Sequence, residues 1–165
     1  MSDKDNAYAG RFEGTTHLLP VRIYYEDTDM SGVVYHANYL RYFERGRSDF
    51  LRLAGVNHTE LQAREKPMAF AVIAMDLRFK KPARIDDALL VHTKYHEIKG
   101  AKLHIDQIIM RGDVEIATAH VTAVCIDFEG NPQRPPKEMV ELLRGYFRIN
   151  PSSAQSPKSA RGVGG

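Results

Sequence analysis

One long helix-period segment stands between a short strand and four long ones, and few folds accept that order. Over residues 38–54, Tyr39, Phe43, Gly46, Phe50 and Leu53 recur at helical spacing. Tyr42 and Leu51 thicken the apolar face, and Glu44, Arg45, Arg47 and Asp49 fill much of the remainder. The pattern predicts a helix over 38–54, with Asn38 or His36 near the N-cap and Gly55 as its C′ stop. Gly46 in the helix interior costs about 1 kcal/mol relative to Ala, so a neighbour is expected to pack closely against it.

Upstream, Leu19, Val21, Ile23 and Tyr25 alternate with Leu18, Pro20, Arg22 and Tyr24, which predicts a strand over 18–26. Pro20 cannot donate to a ladder and marks an edge or a strand beginning. Downstream, after a polar connection over 57–67, strands are predicted over 70–79, 88–98, 103–110 and 115–128. Turns at Lys99-Gly100 and Arg111-Gly112-Asp113 join the last three. In the final strand Ala117, Ala119, Val121, Ala123 and Cys125 form a uniformly small face, expected to admit the helix at Gly46. The opposite face carries Ile116, Val124, Ile126 and Phe128 and needs cover too. One helix cannot cover both faces of a sheet, so a homo-oligomer is expected. The class is α+β, an antiparallel sheet wrapped around one long helix. A short helix over 135–146 ends the pattern.

A chain of 165 residues accommodates one domain with a real core. That domain is read as 15–148, between a loose lead-in over 1–14 and a low-complexity tail over 149–165. A net charge of +2 gives no footprint of a nucleic-acid binder. The N-terminus lacks the apolar core of a signal peptide, and no apolar run reaches the roughly 18 residues of a membrane span. A cytoplasmic protein without a membrane span is expected. The lone Cys125 excludes an internal disulfide and reads as a small buried hydrophobe.

There is no G-x-S-x-G elbow, no G-x-x-x-x-G-K loop and no C-x-x-C pair. His92 and His96 have the spacing that chelates a metal on a helix. On a strand they stand about 13 Å apart, too far for one ion, so they read as surface histidines. The remaining chemistry lies in RIYYEDTDMSGVVYHANY, residues 22–39, where a strand gives way to a loop and then to the helix. Its carboxylates Glu26, Asp27 and Asp29 precede the flexible Ser31-Gly32. Two readings stay open on the residues alone. The loop is a turn in which Asp side chains bond nearby backbone amides. Or one carboxylate is a nucleophile or general base facing a helix N-terminus whose free N–H groups hold an oxyanion.

The pattern R-I-x4-T-D-x2-G-V-V-Y-x2-N-Y over 22–39 resembles the active-site signature of the 4-hydroxybenzoyl-CoA thioesterase family, whose members have the hotdog fold. The longer YYEDTDMSGVVYHANYLRYFERGR is similar to its YbgC-like acyl-CoA thioesterase branch, associated with the Tol–Pal cell-envelope system. The likeness continues through Phe79-Lys80-Lys81-Pro82-Ala83-Arg84-Ile85-Asp86-Asp87 and covers roughly residues 18–143. It implies that Asp29 is the catalytic carboxylate, attacking the thioester carbonyl or activating water. It also implies that the backbone N–H of His36 polarises the carbonyl, with the imidazole assisting or orienting substrate. The competing role for His36 is that of an N-cap side chain.

Tyr35 and Asn38 are expected to shape the pocket or pack locally, and Glu26 and Asp27 to serve as supporting or turn residues. Glu44 is expected to pair with a neighbouring Arg or support the site. Lys81 and Arg84, with Lys80, are placed at a basic rim for coenzyme A phosphates, or on a merely solvated loop. Phe43, Phe50, Met68 and Met75 line an acyl pocket or fill the core. The resemblance implies an acyl-CoA substrate, no metal or organic cofactor, and a site shared between subunits of a dimer or tetramer. The alternative is a weakly catalytic hotdog module binding acyl groups, acyl carrier protein or phospholipid-synthesis partners near the inner membrane. A hotdog dehydratase ranks lower, since its chemistry is linked to a different helix motif.

Overall fold

The computed structural model describes residues 8–147. Strands β1 (Arg11–Glu13) and β2 (Thr16–Arg22) precede helix α1 (His36–Leu53) and a short helix α2 (His58–Gln62). Strands β3 (Met68–Phe79), β4 (Ala88–Lys99), β5 (Lys102–Arg111) and β6 (Val114–Asp127) follow, and helix α3 (Lys137–Arg144) ends the described chain. The six strands form one antiparallel sheet in the order β1-β2-β4-β5-β6-β3. Helix α1 lies across one face of it, which is the hotdog arrangement expected from the sequence.

Tyr39, Tyr42, Phe43, Phe50 and Leu51 bury the helix face against the sheet. The helix stops at Gly55, whose φ of +94° is open to glycine. There the Val56 N–H donates to Leu51 O at 2.7 Å and the Gly55 N–H to Arg52 O at 3.1 Å, a Schellman closure.

Gly46 does mark a close approach, but not to the small face of β6. A Cβ there would stand 2.7 Å from Thr93 Oγ1 and 2.9 Å from Val91 Cγ1, both on β4. The reason is a buried polar clamp. Gln107 Nε2 donates to Phe43 O at 2.8 Å and to Thr93 Oγ1 at 2.9 Å, while Arg47 Nη1 donates to Gln107 Oε1 at 2.9 Å. Those bonds fix the helix over β4 and β5, where the unpaired polar atoms of Thr93 and Gln107 would otherwise be costly to bury. The small residues of β6 are buried as well, and burial pushes the Cys125 thiol up to about 11.

Four further expectations change. The first strand ends at Arg22 rather than residue 26, because Asp27 Oδ2 accepts the Tyr24 N–H at 2.7 Å and folds Tyr25–Asp27 into a 3₁₀ turn. Residues 8–13, expected in a loose lead-in, contribute β1, and the Phe12 ring packs edge-on to Phe50. The polar connection contains α2, whose Asn57 side chain accepts the Thr59 N–H. Of the residues expected on the outer face of β6, Ile116 joins the hydrophobic core at a register shift beside Ile109 and Met110, Val124 is buried, and Phe128 is exposed just past the strand's end. Residues 1–7 of the lead-in and the tail over 149–165 lie outside the described residues.

Strand β3 is the long edge of the sheet. It has a register shift between Val72 and Ala74, and Val72, Ile73 and Phe79 are exposed along it. At the other end His17 is wholly buried on β2, with Nε2 2.7 Å from Asp49 Oδ2. The same carboxylate oxygen accepts the Gly10 N–H at 2.7 Å, tying the first strands to α1.

Candidate active site

The acidic stretch folds back on itself between β2 and α1. Thr28 bridges to Val34, the Asp29 N–H donates to Val33 O at 3.0 Å, and the Gly32 N–H returns to Asp29 O at 3.0 Å. Gly32 closes this turn at φ +79°. Asp29 Oδ1 accepts the Ser31 N–H at 2.8 Å and the Ser31 hydroxyl as well. The turn reading of the loop is therefore realised, yet the Asp29 side chain stays exposed and, among the described residues, Oδ2 accepts no hydrogen bond. The Ser31 hydroxyl, then its amide, hold the Asp29 carboxyl below the usual carboxylate range, and the His36 charge adds a smaller pull. Asp29 is therefore ionised at neutral pH.

The helix start is anchored to the same turn. The Tyr35 N–H and Asn38 Nδ2 both donate to Asp27 O at 2.9 Å, so Asn38 and Asp27 join loop to helix. Tyr35 is the N-cap, with no side-chain cap bond, and His36 is the first helical residue. The imidazole therefore does not cap the helix, and the His36 N–H has no acceptor within it. The helix thus brings a positive end and a free donor to the loop that carries Asp29. The His36 ring lies 4.6 Å from the Tyr35 ring and 6.2 Å from Phe79.

The segment between β3 and β4 forms the second wall. Val33 bridges to Arg84, the Val34 N–H donates to Ala83 O at 2.8 Å, and Tyr39 OH accepts the Ala83 N–H at 3.2 Å. A Cβ on Gly32 would lie 4.0 Å from Arg84 Nη1, so Arg84 stands over the acidic turn. Lys81 is exposed on the same wall, and Lys80 is engaged with Glu115. Sequence reasoning missed three residues here. Phe79 packs 5.7 Å from Tyr39 and stays half exposed beside His36. Arg111 braces the wall through Pro82 O at 3.0 Å and Asp87 Oδ2 at 2.9 Å. Phe79 and Asp87 lie inside the run that carries the resemblance; Arg111 had no signal.

Glu44 is not part of this cluster. It begins eight residues after His36, about 12 Å along the axis, and accepts the Ser48 hydroxyl at 2.6 Å rather than pairing with an Arg. Phe43 and Phe50 are fully buried and fill the core, as Met68 nearly does. Glu26 is exposed and Asp27 belongs to the 3₁₀ turn. Among the described residues no group of three or more His, Cys, Asp or Glu is placed to hold a metal ion, and no helix is long and apolar enough to cross a membrane.

A family model, the thioesterase-like superfamily, matches residues 24–143. The acyl-CoA thioesterase YbgC of Haemophilus influenzae is 40% identical over 122 residues, 73% of this chain and 89% of that one. The acyl-CoA thioester hydrolase YbgC of Escherichia coli O6:H1 is 38% identical over 128 residues, 76% of this chain and 94% of that one. The crystal structure of a probable thioesterase from Bartonella henselae matches at 42% identity and a TM-score of 0.71, covering 73% of this chain and 99% of that one.

Proposed function

The chain belongs to the thioesterase-like superfamily, and on that footing we propose that it hydrolyses acyl-CoA thioesters to the free acid and coenzyme A. The observation that carries the reading is Asp29, an ionised and exposed carboxylate held by Ser31 on the turn that leads into the free N-terminus of α1. In this reading the His36 N–H donates a hydrogen bond to the developing oxyanion, and one such donor is typically worth about 10²–10³ in rate. Asp29 either attacks the carbonyl carbon and expels the thiolate, giving an acyl-enzyme that water then cleaves, or takes a proton from water as it attacks. Both routes end in the same acid and thiol.

Tyr35 and Phe79 line the approach to the carbonyl, Asn38 fixes the helix start, and Arg84 with Lys81 offers positive charge to coenzyme A phosphates. The site of a single chain is open, because Asp29, Tyr35, His36 and Phe79 are all exposed in it. Together with the unpaired edge of β3, that openness supports a homo-oligomer in which a second copy closes the site.

The test is thiol release from a panel of acyl-CoAs and acyl carrier protein thioesters, by the native chain and by Asp29→Asn. The native chain turns over at least one member. Folded Asp29→Asn loses at least about 10²-fold, as expected for removal of a base or nucleophile. No thiol release, or an unimpaired Asp29→Asn, overturns the reading.

A further inference from the structure

The groove between α1 and β3 leads away from the acidic turn to a second lined space. His36, Leu40, Arg47 and Leu51 fall on one stripe of the helix, within about 60° of one another. Strand β3 runs antiparallel to that stripe. Phe79 stands 6.2 Å from the His36 ring at one end, and Phe70 reaches the level of Ser48 and Leu51 at the other. Leu40 is exposed on the helix, and Met75 and Leu77 on the strand pack partly buried against the core, so the surface between the two ends is apolar. The helix from His36 to Ser48 spans about 18 Å.

The groove ends in a cavity of about 130 Å³ between α1, α2 and the sheet. Phe70, Leu103 and Ile105 give it an apolar floor, and Glu44, Arg47, Ser48 and His58 give it a polar wall. An apolar cavity of roughly 150 Å³ can hold a benzene ring, so this one has room for the last few atoms of a chain. Three of its four polar side chains are already answered. The Ser48 hydroxyl donates to Glu44 Oε1 at 2.6 Å, Arg47 Nη1 donates to Gln107 Oε1 at 2.9 Å, and Glu44 offsets the charge of Arg47. His58 is the exception. Its ring stands edge-on to Phe70 at 6.0 Å, and its Nε2 is buried with no hydrogen-bond partner among the described residues. A buried polar atom left in that state is costly unless a ligand completes it.

We propose that this cavity receives the far end of the acyl chain and that His58 selects chains ending in a hydroxyl group. The inference rests on the thioesterase reading above and names its substrate class. A hydroxyl accepts from the His58 Nε2–H and donates to the Ser48 oxygen, whose own proton is spent on Glu44. A methyl end leaves His58 without a partner. A carboxylate end has no proton for Ser48 and meets the charge of Glu44, which already offsets that of Arg47. The substrate is therefore an acyl thioester that is hydrocarbon along the groove, long enough to run from His36 to His58, and oxygenated at its tip.

The measurement is kcat/KM for thiol release from acyl-CoAs of matched length ending in methyl, hydroxyl or carboxylate. It is made on the full native chain, His58→Leu and His58→Gln, with circular dichroism confirming the fold. The native chain is expected to favour the hydroxyl end over the methyl end by roughly 3–10-fold, the worth of one net hydrogen bond, and to disfavour the carboxylate end. His58→Leu brings the hydroxyl-to-methyl ratio to about one or below, and His58→Gln, whose amide still donates, keeps part of it. A ratio between substrates does not move when a variant merely loses folded protein. Binding of the same acyl-CoAs to Asp29→Asn, alone and combined with each His58 change, gives the comparison without the chemistry. Absence of thiol release from every substrate would overturn the thioesterase reading and leave the binding comparison to judge the cavity. Equal binding of hydroxyl and methyl ends, or a hydroxyl preference that survives His58→Leu, would overturn the inference itself.

Discussion

Because the Ser31 hydroxyl and amide both donate to Asp29, the carboxylate keeps its charge further into acid than a free Asp would. A lowered pKa means that the ionised form, the active one under the proposed function, is complete at neutral pH and is lost only as pH falls through the depressed value. Ser31→Ala removes the larger of the two bonds and leaves the amide. Its acid limb in kcat/KM against pH is expected to move to higher pH, while its plateau at neutral pH stays well above that of Asp29→Asn. An acid limb that does not move would mean that Ser31 does not set the charge of the acting group. The sequence contained this relation in outline, since S-G after T-D reads as a turn. It did not contain which oxygen is occupied and which is free, because that depends on how the turn closes through Val33 and Gly32. The role of His36 was blurred for the same reason: one residue of uncertainty at a helix start separates a cap from the first free donor.

Strands β3 to β6 were legible within about two residues, because twelve-residue alternation bounded by glycine turns has few competing readings. Elements β1 and α2 were not, being too short for any period to declare itself. The partner of Gly46 was misjudged because a uniformly small strand and a strand with a buried Thr–Gln clamp both admit a close helix, and only the second also binds it. The latch formed by β1, β2 and α1 has a testable consequence. Burial is the main cause that lowers the His17 pKa, against the pull of Asp49, so the folded protein binds a proton there less readily than the unfolded chain. His17 therefore adds stability that is fully present above the unfolded value near 6.5 and declines as pH falls below it, by at most about 1.4 kcal/mol per pH unit for one proton. Denaturant midpoints measured from pH 7.5 to 5 are expected to fall for the native chain. His17→Gln, whose amide can still donate to Asp49, is expected to flatten that slope. Equal slopes would place the acid sensitivity elsewhere.

An uncovered sheet argued for a second subunit from sequence, and the structure shifts the weight of that argument. The outer face is polar across its middle, whereas the β3 edge leaves Val72 and Ile73 half exposed beside unpaired backbone. A strand that is long, apolar and open at an edge associates unless something blocks it. If a second copy pairs there, the exposed Asp29, His36 and Phe79 gain their missing wall from it, so assembly and turnover must fall together. Val72→Asp tests this, since a side chain already half in water tolerates a charge in the single chain and not against a paired strand. Sedimentation is expected to show a smaller particle, and thiol release is expected to drop with it. A Val72→Asp chain that stays assembled, or that dissociates and still turns over as the native chain does, would mean that each chain carries its active site alone.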